Sequence, residues 1–183
     1  MVRNMSEFYL TSRHGNCEGN LDDTVMFIAQ NGNGYYTNLL IAHVFTLERA
    51  QEYHNKFNKI LPLSKALVDE VAEMHVDCQP LYRFNPNEYK ACPDEYVIQI
   101  DGNFCGNDIE FLTYEGGSFD LRKALVVTQK QADAMFTGHQ SKRLVAWPKS
   151  YMETLARPTL RVSQVDSISM SKEQGIELKP TCR

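Results

Sequence analysis

Two His-x-x-Cys pairs, His14-Gly-Asn-Cys17 and His75-Val-Asp-Cys78, carry the most obvious chemical potential in this sequence. Four such ligands would suit a tetrahedral zinc site, whose usual donors are imidazole nitrogen and thiolate sulfur. Their surroundings argue against it. Cys17 sits in a Gly/Asn loop, whereas His75 and Cys78 end a predicted helix and enter a linker. No Cys-x-x-Cys knuckle is present. The expectation is therefore no metal and no cofactor. Five cysteines and five histidines could also furnish a Cys–His nucleophile pair, but contact in space defines such a pair, not spacing. The sequence has no Gly-x-Ser-x-Gly elbow and no His-Glu-x-x-His. The Gly-rich stretches at Asn31–Gly34 and Glu115–Ser118 lack the Lys-Ser/Thr of a phosphate loop and read as hairpin turns. No catalytic residue is assigned, and the chain is expected not to be an enzyme.

Two further groups suit binding rather than catalysis. Tyr35 and Tyr36 follow the first hairpin turn, and one of them must face away from the core because successive strand residues point to opposite faces. With Arg13 and His14 in a nearby loop they form the expected partner-binding set, since Arg and Tyr dominate many interfaces. Lys142, Arg143, Lys149, Arg157 and Arg161, with Trp147 and Tyr151 among them, are the alternative, a basic patch for nucleic acid. Composition disfavours direct nucleic-acid binding. The 183 residues include 19 Lys and Arg against 23 Asp and Glu, a net charge of -4, where a dedicated nucleic-acid binder shows a basic excess. Cys17, Cys78, Cys92, Cys105 and Cys182 are odd in number and irregularly spaced. The N-terminus lacks an apolar signal region, and no apolar run is long enough to cross a bilayer. The expectation is a cytoplasmic protein with free thiols.

The elements that would position these residues read as one unit written twice. Thr37–Ala50 aligns without a gap on Phe119–Ala132, with identities at Leu39/Leu121, Ala42/Ala124, Val44/Val126, Thr46/Thr128 and Ala50/Ala132. Glu7–Leu10 and Glu95–Ile98 are matching lead strands. Val25–Ala29 and Tyr35–Thr37 flank an Asn-Gly turn, and His43–Phe45 is a further strand. Thr46 is the expected N-cap of a helix that buries Leu47, Ala50, Tyr53, His54 and Phe57. A second helix runs from Lys65 to about Met74. In the second copy Ile109–Tyr114 is a strand, Gly116-Gly117 the turn and Leu125–Val127 a strand. Thr128 with Gln131 makes a capping box for a helix to Phe136. Pro148 opens another helix and Pro158 stops it. The expected fold is α+β with two related lobes from an internal duplication, each a small antiparallel sheet covered by two helices. The expected boundaries are 1–77, a linker at 78–94, 95–162, and an extended or disordered polar tail at 163–183.

Three stretches taken together resemble small accessory proteins carried by phages and plasmids of Gram-negative bacteria. They are Glu7–Asn16, Gly32–Asn38 with His43–Thr46, and Trp147–Tyr151 with Ala156–Thr159. The resemblance covers most of the chain up to about Thr159. It carries no catalytic motif, so it assigns no site residue. It implies a non-enzymatic protein in the cytoplasm of a host bacterium. Such a protein would act like an anti-CRISPR protein, blocking a host protein or ribonucleoprotein complex by stoichiometric contact.

Overall fold

The computed structural model describes residues 6–12, 23–32, 34–83, 95–136 and 143–179. Arg13, His14, Cys17, Cys92, Lys142 and Cys182 lie outside the described residues. The chain divides into two compact units, 1–72 with 158–183, and 73–157. The boundaries differ from those expected: the chain leaves the first unit after Ala72, completes the second, and returns at Pro158.

The first unit is built on a three-stranded antiparallel sheet. Its central strand is β1 (Glu7–Leu10), flanked by β4 (Phe45–Thr46) and β5 (Pro62–Ser64). A short hairpin of β2 (Phe27–Ile28) and β3 (Tyr35–Tyr36) stands beside it, with Phe27 opposite Tyr36. The expected Asn-Gly hairpin is present, but its connection is longer than two residues and includes a 3-10 turn at Gln30–Gly32. α1 (Leu47–Lys56) starts where Thr46 Oγ1 accepts from Arg49 N at 3.4 Å. Ala50 and His54 are buried on α1, with Leu47, Tyr53 and Phe57 packed beside them. α2 (Lys65–Val71) ends three residues before the expected Met74. There the backbone turns extended at Ala72, and Met74 falls in β6 (Glu73–His75) of the second unit.

The second unit has a five-stranded sheet centred on the long β7 (Tyr96–Cys105). β7 pairs with β8 (Asp108–Thr113), β10 (Val126–Val127) and β11 (Leu144–Pro148), while β9 (Gly116–Ser118) extends β8. Gly116 and Gly117, expected as a turn, are strand residues; the turn is two residues earlier, at Tyr114-Glu115. β11 was not expected, because half-buried Leu144–Trp147 lacks an alternating pattern. α3 (Gln129–Phe136) carries the expected capping box. Gln131 N donates to Thr128 Oγ1 at 3.3 Å, and Gln131 Oε1 accepts from Thr128 N at 2.9 Å. α4 (Lys149–Leu155) follows directly on Pro148. The expected linker opens with a 3-10 turn, Gln79–Arg83, that buries Leu81.

The same order recurs inside each unit. A lead strand pairs on one side with a two-residue strand that feeds a helix, and on the other with a strand that feeds a second helix. Before the two-residue strand comes a capped 3-10 turn: Leu39–Ile41 behind Asn38, and Leu121–Lys123 behind Asp120. Four of the five identical residue pairs take structural roles. Leu39 and Leu121, Ala42 and Ala124, and Ala50 and Ala132 are all buried, and Thr46 and Thr128 cap helices.

The described part of the polar segment, residues 163–179, is folded, contrary to expectation. It contains α5 (Ser167–Met170), capped by Asp166, and buries Met170 and Ile176 in the first unit. Met170 and Ile176 are scattered among polar residues and leave no periodic signal, yet each fills a core position.

The two caps make unequal demands. Thr46→Ala removes one bond and Thr128→Ala breaks a reciprocal pair. Each should cost about 1 kcal/mol, and Thr128→Ala should cost more. Urea denaturation of the two variants measures the difference.

Candidate functional site

The densest set of buried charges lies in the second unit. The His75 ring is 1% exposed, with Nδ1 2.8 Å from Asp108 Oδ2 and Nε2 3.2 Å from Glu73 Oε2. Asp108 takes a second bond from Arg157 Nη2 at 2.5 Å, and Asp77 lies 3.9 Å from the same guanidinium. Lys123 reaches Glu73 at 3.4 Å. The backbone supports the cluster: Ile109 N donates to Val76 O and Cys78 N to Asn107 O, so residues 76–78 run alongside 107–109.

This arrangement resembles a His–Asp pair but has no use for one. Both ring nitrogens face carboxylate oxygens, and each contact is a hydrogen bond only when that nitrogen carries a proton. No ring nitrogen is left to take a proton from a substrate, and the ring is closed to solvent. Cys78, three residues on, is a free thiol pushed above its ordinary value, first by burial and then by the Asp77 and Asp108 charges. A nucleophilic cysteine needs the opposite environment. Cys105 is not in a disulfide either. Among the described residues no group of three His, Cys, Asp or Glu side chains is arranged to hold a metal.

Three of the basic residues suggested by the sequence have carboxylate partners. Lys149 pairs with Glu95 at 2.8 Å, Arg157 with Asp108, and Arg161 with Asp23 at 2.6 Å. Arg143 is exposed. Interleaved carboxylates neutralise the positive field a phosphate backbone requires, and these acidic partners were invisible because they are distant in sequence.

The partner-binding set is half visible. Tyr35 is half-buried and Tyr36 is 48% exposed. Around Tyr36 in sequence, the first unit exposes further apolar side chains that composition did not single out: Leu40 at 70%, Ile41 at 38% and Val44 at 38%. Val44 also lines an open groove of about 380 Å³ with Ile28, His43, Phe45, Arg49 and Tyr53. Its floor is aromatic, with His43 edge-on to Phe45 at 4.4 Å and Phe45 edge-on to Tyr53 at 5.3 Å.

The capped 3-10 turn explains why these residues are exposed. Asn38 accepts from Leu40 N at 2.9 Å and fixes the turn, so Leu39 points into the core while Leu40 and Ile41 point out. The corresponding turn of the second unit obeys the same geometry with different chemistry. Asp120 accepts from Arg122 N, Leu121 points in, and the outward positions are Arg122 and Lys123. Arg122 binds Asp120 at 2.8 Å through Nη2, and Lys123 binds Glu73. The signal in the sequence was the alignment itself, which sets Leu40-Ile41 against Arg122-Lys123.

No protein-family model, no curated protein and no solved structure matches this chain.

Asp108→Ala leaves two buried donors facing one another and should cost about 3–5 kcal/mol in urea denaturation. Lys123→Ala, on an exposed side chain, should cost less than about 1 kcal/mol. Burial raises the Asp120 carboxyl, but bonds from Arg122 and from the Met74 and Arg122 amides outweigh this and hold it below its ordinary value. A depressed carboxylate stabilises the fold above its unfolded value, about 4, and loses that contribution as pH falls through the folded value. The stability gap between the native chain and Asp120→Asn should therefore shrink as urea midpoints are measured from pH 6 towards pH 2.

Proposed function

We propose that this chain is a binding protein that acts by stoichiometric protein–protein contact through the exposed apolar turn of its first unit. The observation that carries this reading is the contrast between the two turns. The same capped 3-10 geometry presents Leu40 and Ile41 in one unit and the ion-paired Arg122 and Lys123 in the other. The fold therefore accepts charge at these positions, and nothing in its own packing asks for leucine and isoleucine there. Exposed apolar clusters with aromatic neighbours are what protein interfaces use, and Tyr36, Val44 and the Phe45–Tyr53 groove extend the surface.

The shared strand order, the matched caps and the buried identical residues support an origin of the two units by internal duplication. On that reading, one copy kept or gained a binding face while the other carries a solvated one. The resemblance to accessory proteins of phages and plasmids supports a target in the host bacterium, a defence complex being the first to test. The nucleic-acid reading is weaker, because Lys149, Arg157 and Arg161 are each engaged by a carboxylate.

The test exchanges one turn for the other. Leu40→Arg with Ile41→Lys should leave the circular dichroism spectrum and melting temperature nearly unchanged. The variant should lose at least tenfold in affinity for the protein that co-purifies with the tagged wild-type chain. Titration of that purified target should saturate near one equivalent. Retention of the complex by the double variant, or full inhibition far below one equivalent, would overturn the proposal.

A further inference from the structure

Residues 175–179 occupy a seat on α1 that has the chemistry of a peptide-binding site. After the left-handed Gly175, at φ 99°, the backbone runs extended along the helix with alternating burial. Ile176 is 1% exposed, Glu177 points out, Leu178 is half-buried and Lys179 points out. Ile176 sits among Phe8, Leu10, Phe45, Ala50 and Ile60.

Two residues of one helix face, Gln51 and His54, hold the main chain of this segment, and the carbonyl of the next residue, Asn55, holds a side chain. The Gln51 carboxamide donates to Glu177 O at 3.1 Å and accepts from Glu177 N at 2.7 Å, as a neighbouring strand would. His54 Nε2 accepts from Lys179 N at 3.1 Å. Its Nδ1 lies 2.7 Å from Ile60 O, which can only accept, so the ring is the Nδ1–H tautomer with Nε2 free to receive an amide. Lys179 Nζ donates to Asn55 O in the last turn of α1, where the helix dipole favours a cation.

The related helix of the second unit has no such seat. The gapless alignment places Asp133 where α1 has Gln51, and Phe136 where it has His54. A carboxylate only accepts and a phenyl ring does neither, so α3 cannot read a main chain in this way. The helix position tolerates other residues, and the main-chain-reading set is particular to α1.

We propose that this face of α1 is a binding site for an extended segment of the pattern Ile-x-Leu-Lys, filled in the free protein by its own residues 176–179. Two main-chain anchors, one apolar pocket and one cation site recognise such a segment without reading the side chains that point away. A partner presenting the same pattern would compete with the internal segment for the seat. This does not depend on the apolar turn of the first unit as a binding face.

The test uses the full chain carrying Ile176→Asp, which empties the pocket from within. The probe is a fluorescent peptide with the sequence of residues 174–181. Fluorescence anisotropy should show saturable binding to this variant and at least tenfold weaker binding to the wild-type chain, whose seat is filled. Binding should fall at least tenfold when the peptide itself carries Ile176→Asp, and several-fold when Gln51→Ala is added to the protein. Absence of saturable binding, or equal affinity for wild type, would overturn the proposal. So would unfolding of the Ile176→Asp chain by circular dichroism, since a seat must survive being empty.

Discussion

A single buried carboxylate organises the second unit. Asp108 opens β8, and its two oxygens are taken by His75, near the point where the chain enters the unit, and by Arg157, where it leaves. A carboxylate removed from water must find such partners or be neutralised. Here the partners are the two ends of the unit, so satisfying the charge also fixes where those ends lie against β8. A well-packed apolar side chain would stabilise the core as well, but it would not specify which segments meet there. The same demand engages both ring nitrogens of His75, one of the residues the sequence offered as a metal ligand.

How much was legible in the sequence follows from how local the determinants are. Thr46 and the Thr128–Gln131 box act over three residues, and both helix starts were readable. α1's buried face has a 3.6-residue period and was readable too. The length of α2 was misread, because Val71 and Met74 continue a helical pattern after the backbone has turned extended at Ala72. The Gly116-Gly117 turn was misplaced by two residues, because strand pairing with Leu112 and Thr113 overrides glycine's preference for turns. The candidate site was legible only in part. Strand alternation required one of Tyr35 and Tyr36 to face outward without saying which, and Leu40 and Ile41 drew no reading until the Asn38 cap showed which way each residue of the turn faces. The ion pairs of Lys149 with Glu95, Arg157 with Asp108 and Arg161 with Asp23 join residues far apart in sequence, and no local rule finds them.

The two units also separate what folding constrains from what it leaves free. Buried and capping positions agree between them: Leu39 with Leu121, Ala42 with Ala124, Ala50 with Ala132. Outward positions on the same scaffold differ in kind. Leu40-Ile41 against Arg122-Lys123 is a difference the internal packing does not require. Tyr9 shows the other extreme in the first unit. Its hydroxyl is pushed up to about 12, first by burial and then by the Asp69 charge, and its bond to Asp69 at 3.1 Å serves the core alone.

The order of the chain has a consequence for its synthesis on the ribosome. The first unit's core needs Leu160, Met170 and Ile176, and Val25 N donates to Leu160 O. None of these exists until the whole second unit has been translated. Residues 73–157 can therefore close their own core while 1–72 still await the rest of theirs. Domains usually consolidate in order of emergence; here the later unit is the first able to finish. The apolar strands β1 and β2 stay incompletely covered throughout that interval, which makes the early chain the stage of its life most open to chaperones and to misassembly.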